Sequence, residues 1–254
     1  MTPPRSVPEL AQYLDRYLRI AEIPDAAGAF NGLQVENSGQ LPRILGAVDA
    51  CQASIDAAVA RGAGLLLVHH GLFWNMPAPL TGPIGRRIRT LITHDVAVYS
   101  AHVPLDCHPE VGNNAVLARE LGLESLAPFG HYQGIEIGWM GLTGLRLAEL
   151  AQSLEECLGT APRIIATGPD PVQRVAVVTG AASELIIEAH ERGVDTFITG
   201  EAPHHAFFDA QELGVNLILA GHYASETVGV EALGEQLRDR FGLEFEFFDH
   251  PTGL

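Results

Sequence analysis

Thiols are scarce in this chain: Cys51, Cys107 and Cys157 stand far apart in 254 residues, and no CxxC pair occurs. That excludes a disulfide framework and thiolate-held zinc, and it fits a reducing compartment. Long apolar runs are missing as well. None approaches the roughly 20 residues that span a bilayer, and Met1 to Pro8 carries no apolar segment of the signal-peptide kind. The expectation is a cytoplasmic protein without a membrane segment. Basic side chains are few, 15 against 31 acidic ones, for a net charge of −16. Such a field repels phosphate backbones, and the short cluster Arg86, Arg87 and Arg89 reads as a solvated helix face, so nucleic acid is a disfavoured partner.

What is present is apolar and periodic. Hydrophobic residues make up 47% of the chain, enough for one large core or two smaller ones. Short apolar runs (44–48, 65–68, 97–100, 175–178, 197–199, 217–219, 244–248) alternate with amphipathic stretches (54–61, 84–93, 112–121, 183–192, 204–212, 228–240) behind an opening helix. This alternation predicts βαβ units, and continuous rather than alternating apolar strands predict burial on both sheet faces. An internal repeat organises them: an offset of 131 lays Arg43–His70 on Arg174–Glu201 without a gap. Past that segment the register slips, but each half reaches a third strand ending in a histidine, His102 or His222. The repeat predicts two β-α-β-α-β modules with a site at the seam between them. A boundary near residue 128 separates domains 1–128 and 129–254, with the C-terminal helix able to pack on the first.

The ends of these strands carry the chemistry. His69-His70 follows Leu65–Val68, His102 stands four residues before Asp106, and His222 four before Glu226. Imidazole and carboxylate suit zinc, iron, manganese and nickel, and loops at the carboxyl ends of parallel strands are where open α/β sheets build sites. Adjacent histidines inside a strand would face opposite ways; at a strand end, with Gly71 next, both can serve one binuclear centre. The plain alternative is one core and one surface histidine. Pro104 makes His102–Asp106 a shaped loop, in which Asp106 can bind metal or cap the following helix and His102 can bind or orient. An opening helical turn would put His222 and Glu226 on one face, where Glu226 can bridge two ions. Glu201, His204 and His205 form a polar knot at another strand end. One of them, or His102, is a candidate proton carrier, although histidine pairs at helix starts are also ordinary surface residues.

Asn31-Gly32-Leu33-Gln34-Val35, His69-His70-Gly71, Ser100-Ala101-His102 with Asp106, Gly112-Asn113-Asn114, Thr199-Gly200-Glu201 with His204-His205, and Gly221-His222 with Glu226 occur in this order over nearly the whole chain. Together they resemble the Nif-three-like family, whose bacterial members bear the label GTP cyclohydrolase 1 type 2 homologue. The resemblance implies two similar three-layer α/β domains, a homohexameric ring built as a trimer of dimers, and a dinuclear metal centre in the interdomain cleft. It assigns His69, His70, Asp106, His222 and Glu226 as ligands of two divalent ions, with Glu226 bridging and His102 beside them. The leading expectation is hydrolysis of a nucleotide, pterin or phosphoester by a metal-bound hydroxide. The alternative is a non-catalytic metal-delivery protein or regulatory scaffold.

Overall fold

The computed structural model describes residues 3–74 and 78–254. Its strands are β1 Gly32–Val35, β2 Ile44–Asp49, β3 Leu65–His70, β4 Ala97–Ser100, β5 Glu124–Tyr132, β6 Ile135–Leu142, β7 Arg163–Ile165, β8 Arg174–Val177, β9 Thr196–Thr199, β10 Asn216–Leu219 and β11 Phe245–Phe247. Its helices are α1 Val7–Tyr17, α2 Gln52–Ala60, α3 Gly82–Thr93, α4 Val103–Asp106, α5 Asn113–Glu120, α6 Leu147–Leu158, α7 Ile186–Glu191, α8 Ala206–Leu213, α9 His222–Ser225 and α10 Thr227–Phe241. The chain divides into two compact α/β units, one of residues 1–105 with 230–250, the other of 106–229 with 251–254. No helix among the described residues is long and apolar enough to cross a membrane.

In the first unit a five-stranded sheet runs β1-β4-β3-β2-β11, parallel except for β1. Leu45, Leu66, Val68 and Val98 face Ile55 and Ala58 of α2 and Leu91 of α3. The alternate positions face α1 and α10: the Tyr99 hydroxyl donates to Asp15 at 2.9 Å, and the Gly46 backbone lies against Val230 and Phe245. Both sheet faces are therefore buried, as the continuous apolar strands require. Helix α1 starts at Ser6, whose hydroxyl takes the Glu9 N–H, while the Glu9 carboxylate takes the Arg5 N–H, so two otherwise orphaned donors are satisfied.

The second unit has six strands in the order β5-β6-β8-β9-β10-β7, of which β8, β9 and β10 are parallel. Val175 and Val177 join Ile198 and Ile218 beneath Leu117 of α5 and Leu150 and Leu154 of α6. Ala176 and Val178 join Phe197 and Leu217 beneath Ile186 of α7 and Ala206 and Ala210 of α8. This is the period-two alternation of a strand packed on both sides.

The repeat extends further than the pattern of apolar runs indicates. Strand β7 begins 131 residues after β1, and each pairs antiparallel with the third parallel strand of its own sheet, β10 or β4. Each unit is thus a helix, an antiparallel edge strand and three parallel strands, to which β11 or the β5–β6 hairpin is added. The stretch expected to mark a boundary near residue 128 lies inside β5, where Pro128 pairs with Trp139. Strand β5 is a sheet edge, and an edge strand accepts a proline that a central strand would not.

That edge is fastened by Glu188 of α7. Its carboxylate accepts the Gly130 and His131 N–H groups at 3.2 and 2.8 Å and pairs with Arg192 at 3.0 Å. Partial burial pushes its pKa up, but these hydrogen bonds and the Arg192 charge more than reverse this, so the carboxyl titrates below its ordinary value. A carboxyl lowered in the folded state stabilises fully above its unfolded pKa and loses that contribution as pH falls through the folded value. Glu188→Gln is expected to cost about 2 kcal/mol at pH 7. Melting curves of the variant and the parent should converge on acidification into the carboxylate range.

Candidate metal centre

In the first unit, β3 delivers His69 and His70, and the turn after β4 delivers His102. The ligand atoms of these three side chains lie within 4.8 Å of one another. His69 is fully buried, the other two partly. Each ring has its Nδ1 engaged by oxygen. His69 Nδ1 meets the Ala101 carbonyl at 2.9 Å, His70 Nδ1 meets Asp49 Oδ1 at 3.0 Å, and His102 Nδ1 meets Asp25 Oδ1 at 2.8 Å. A bond at Nδ1 sets tautomer and ring direction, and it makes Nε2 the nitrogen offered to a cation. Asp49 ends β2 beside β3, where the ladder pairs it with His70.

Asp25 has a wider role. Its second oxygen accepts from Asn31 Nδ2 at 2.8 Å and from the Val103 N–H at 3.0 Å, and Asn31 Oδ1 in turn accepts the His102 N–H at 2.7 Å. Burial raises the Asp25 pKa, but the His102 bond and charge and the Asn31 bond outweigh it, so the carboxyl is held below its ordinary value. A lowered pKa keeps it ionised behind the ring.

In the second unit the donors are carboxylates and one imidazole. Asp106 is buried, and its Oδ1 accepts from Asn113 Nδ2 at 2.8 Å and from the Thr179 hydroxyl at 3.4 Å. Asn114 donates to the Asp106 and Ile137 carbonyls, and its own oxygen accepts the Thr179 N–H. The two buried asparagines at the start of α5 thus set the Asp106 carboxylate. His222 and Glu226 flank the short helix α9, with His222 Nε2 3.3 Å from Glu226 Oε1, and His222 Nδ1 lies 3.1 Å from Glu201 Oε1. Glu226 is only 3% exposed. The Glu226 bond, opposed by burial and helped by Glu201, pushes the His222 pKa up to about 9. Two carboxylates make this a position that favours positive charge. Gly180, at φ +68, leaves room for Glu226: a Cβ there would stand 2.5 Å from Oε1.

His69, His70 and His222 sit at or just beyond the carboxyl ends of parallel strands, where open α/β sheets build sites, while Asp106 closes α4 and Glu226 follows α9. Of the candidate proton carriers, His102 is backed by Asp25 and Glu201 sits on the His222 ring. His204 is exposed and packs edge-on to Phe208 at 5.8 Å, and His205 caps α8. Asp25, Asp49, Asn113, Asn114 and Thr179 are site residues that the strand-end pattern passes over. Asp49 carried a signal nonetheless, a single carboxylate closing an apolar strand next to the histidine strand. Nitrogen and oxygen donors with buried second partners fit a borderline divalent ion, so the residues fit the metal that the resemblance implies.

The family described as Duf34/NIF3 (NGG1p interacting factor 3) matches residues 6–252. A Deinococcus radiodurans protein named GTP cyclohydrolase 1 type 2 homolog is 44% identical over 97% of this chain and 94% of its own length. A Pyrococcus abyssi protein of the same name is 44% identical over 97% and 98%. The solved structure of TTHA1606 from Thermus thermophilus superposes with a TM-score of 0.91 at 42% identity, covering 98% of this chain and 100% of that one.

Asp49→Asn is expected to weaken divalent-ion affinity about tenfold to a hundredfold with little change in melting temperature. Gly180→Ala should weaken it comparably by displacing the Glu226 carboxylate. Titration with a metal-sensitive dye in competition with each purified variant checks both.

Proposed function

The chain belongs to the Duf34/NIF3 family, and from that premise we propose that it holds two divalent metal ions and acts as a metal-dependent hydrolase on a nucleotide, pterin or phosphoester. The observation that carries this reading is the treatment of the first unit's histidines: His69, His70 and His102 each have Nδ1 oriented by an oxygen, and their ligand atoms lie within 4.8 Å of one another. Gathering three imidazoles in this way has no value to a hydrophobic core. It suits ligands held for a cation.

His69 and His70 would hold the ions through nitrogen, Asp106 and Glu226 through carboxylate oxygen, and His222 would complete the set. Bound divalent ions supply an activated water near neutral pH and an electrophile for a phosphoryl or carbonyl oxygen. The chain's own proton carrier is His102, whose ring is oriented by Asp25 in the manner of a carboxylate-backed general base. Glu201 orients His222. The homohexameric ring and a cytoplasmic setting belong to the same proposal.

Elemental analysis of protein purified without added metal is expected to give two ions per chain, falling sharply in Glu226→Ala. A screen of nucleotides, pterins and phosphoesters should find turnover in the metal-loaded chain. His102→Ala should lower kcat at least a hundredfold while most of the metal is retained. Unchanged metal content in Glu226→Ala sinks the ligand set, and full metal content with no turnover sinks the hydrolase.

A further inference from the structure

Trp74 stands beside His70 and His102, and Phe30 stands on the adjoining loop, where metal ligation requires no large aromatic ring. Phe30 is 55% exposed, and Trp74 is partly open to solvent. The indole stands at 83° to the His102 ring with centroids 4.8 Å apart, and at 75° to the His70 ring at 6.0 Å. Phe73 links the two, edge-on to Phe30 at 6.0 Å.

The loops bearing these rings are fixed to each other. Gln34 donates through Nε2 to the Ala29 and Phe30 carbonyls, both at 3.0 Å, and accepts the Leu72 N–H through Oε1 at 2.7 Å. One side chain thereby ties the Phe30 loop to the segment that carries Trp74. Gly28 lets the two backbones touch, since a Cβ there would lie 2.8 Å from the Trp74 carbonyl oxygen. Phe30 itself is held at φ +43, a conformation uncommon for a bulky residue and sustained only when its surroundings over-determine it. An exposed aromatic held this firmly is preorganised for a ligand.

We infer that Trp74 and Phe30 form the stacking surface for a planar heteroaromatic ring in the substrate, the ring lying flat on the indole with its edge toward His70 and His102. The chemistry at that edge rests on the hydrolase reading above; the binding of the ring rests on the aromatic pair. A phosphate anchored by side chains rather than by metal would call for Arg or Lys at the site. Segments 25–34, 69–74 and 99–105, which carry these histidines and aromatics, contain neither, and the whole chain has no lysine. Recognition by the protein therefore falls on the ring faces, where stacking is the usual source of affinity for bases.

The test uses the full metal-loaded chain with three probes: guanosine and pterin, which have a ring and no phosphate, and ribose 5-phosphate, which has a phosphate and no ring. In a Trp139→Phe background Trp74 is the only tryptophan, and guanosine and pterin should quench its emission while ribose 5-phosphate does not. By calorimetry, Trp74→Ala should weaken ring binding about tenfold or more, and Trp74→Phe should stay within about threefold of the parent. Metal content, measured on every sample, should be the same in all three proteins. Ring binding unaffected by Trp74→Ala, equal loss in both variants, or no ring binding by a chain that holds its metal overturns the inference and leaves the metal reading standing. Ring binding that depends on Trp74 in a chain without metal upholds it while the hydrolase reading falls.

Discussion

An imidazole has two nitrogens, and fixing one decides what the other can do. Everything else at this site follows from that constraint. His69, His70, His102 and His222 lie at strand ends, where the backbone sets where each ring starts but not which way it points. The Ala101 carbonyl, Asp49, Asp25 and Glu201 supply the direction. Each comes from an element other than the one carrying its histidine, so the orientation of every ring depends on tertiary structure being complete. Parallel strands make this possible, because βαβ connections bring successive strand ends to the same edge of a sheet.

The duplication explains where the donors stand, but not what they do. At equivalent positions one half has His70, a nitrogen donor, and the other has Glu201, which holds the His222 ring. The third strands end in His102 and His222, yet Asp25 from a distant loop backs the first, while Glu226, four residues on, stands against the Nε2 edge of the second. A duplicated backbone preserves strand order and register. It places no demand on side-chain chemistry, so the two copies could diverge into complementary roles.

Much of this was legible from residue order. The seven apolar runs coincide with strands, and the 131-residue offset recurs in the paired topology. The strand β1 and the pairing of β5 with β6 were not legible. Strand β1 has four residues, and the hairpin carries Pro128, Gly130, Gly138 and Gly141, which read as loop punctuation. Their pairing depends on an edge position and on Glu188, neither of which is a local property. Asp25 was hidden for the same reason: 77 residues separate it from His102, and no periodic pattern connects them. Local patterning reports where a chain can form strands and which side chains end them. It is silent on the partners that orient those side chains.

The buried carboxylates show why such a site reads as function rather than stability. Taking an ionised carboxylate out of water costs several kcal/mol unless a cation or hydrogen bonds compensate. Asp106 accepts hydrogen bonds from Asn113 and Thr179, both neutral donors. Glu226 is opposite a histidine whose own pKa it has driven up to about 9, so the compensating cation is the imidazolium. A core selected for stability alone would replace this pair with apolar side chains of similar volume, a change that is often neutral or favourable. Gly180, at a left-handed φ and without a side chain, leaves the space that Glu226 fills, and the His222–Glu226 pair is among the groups able to hold a cation.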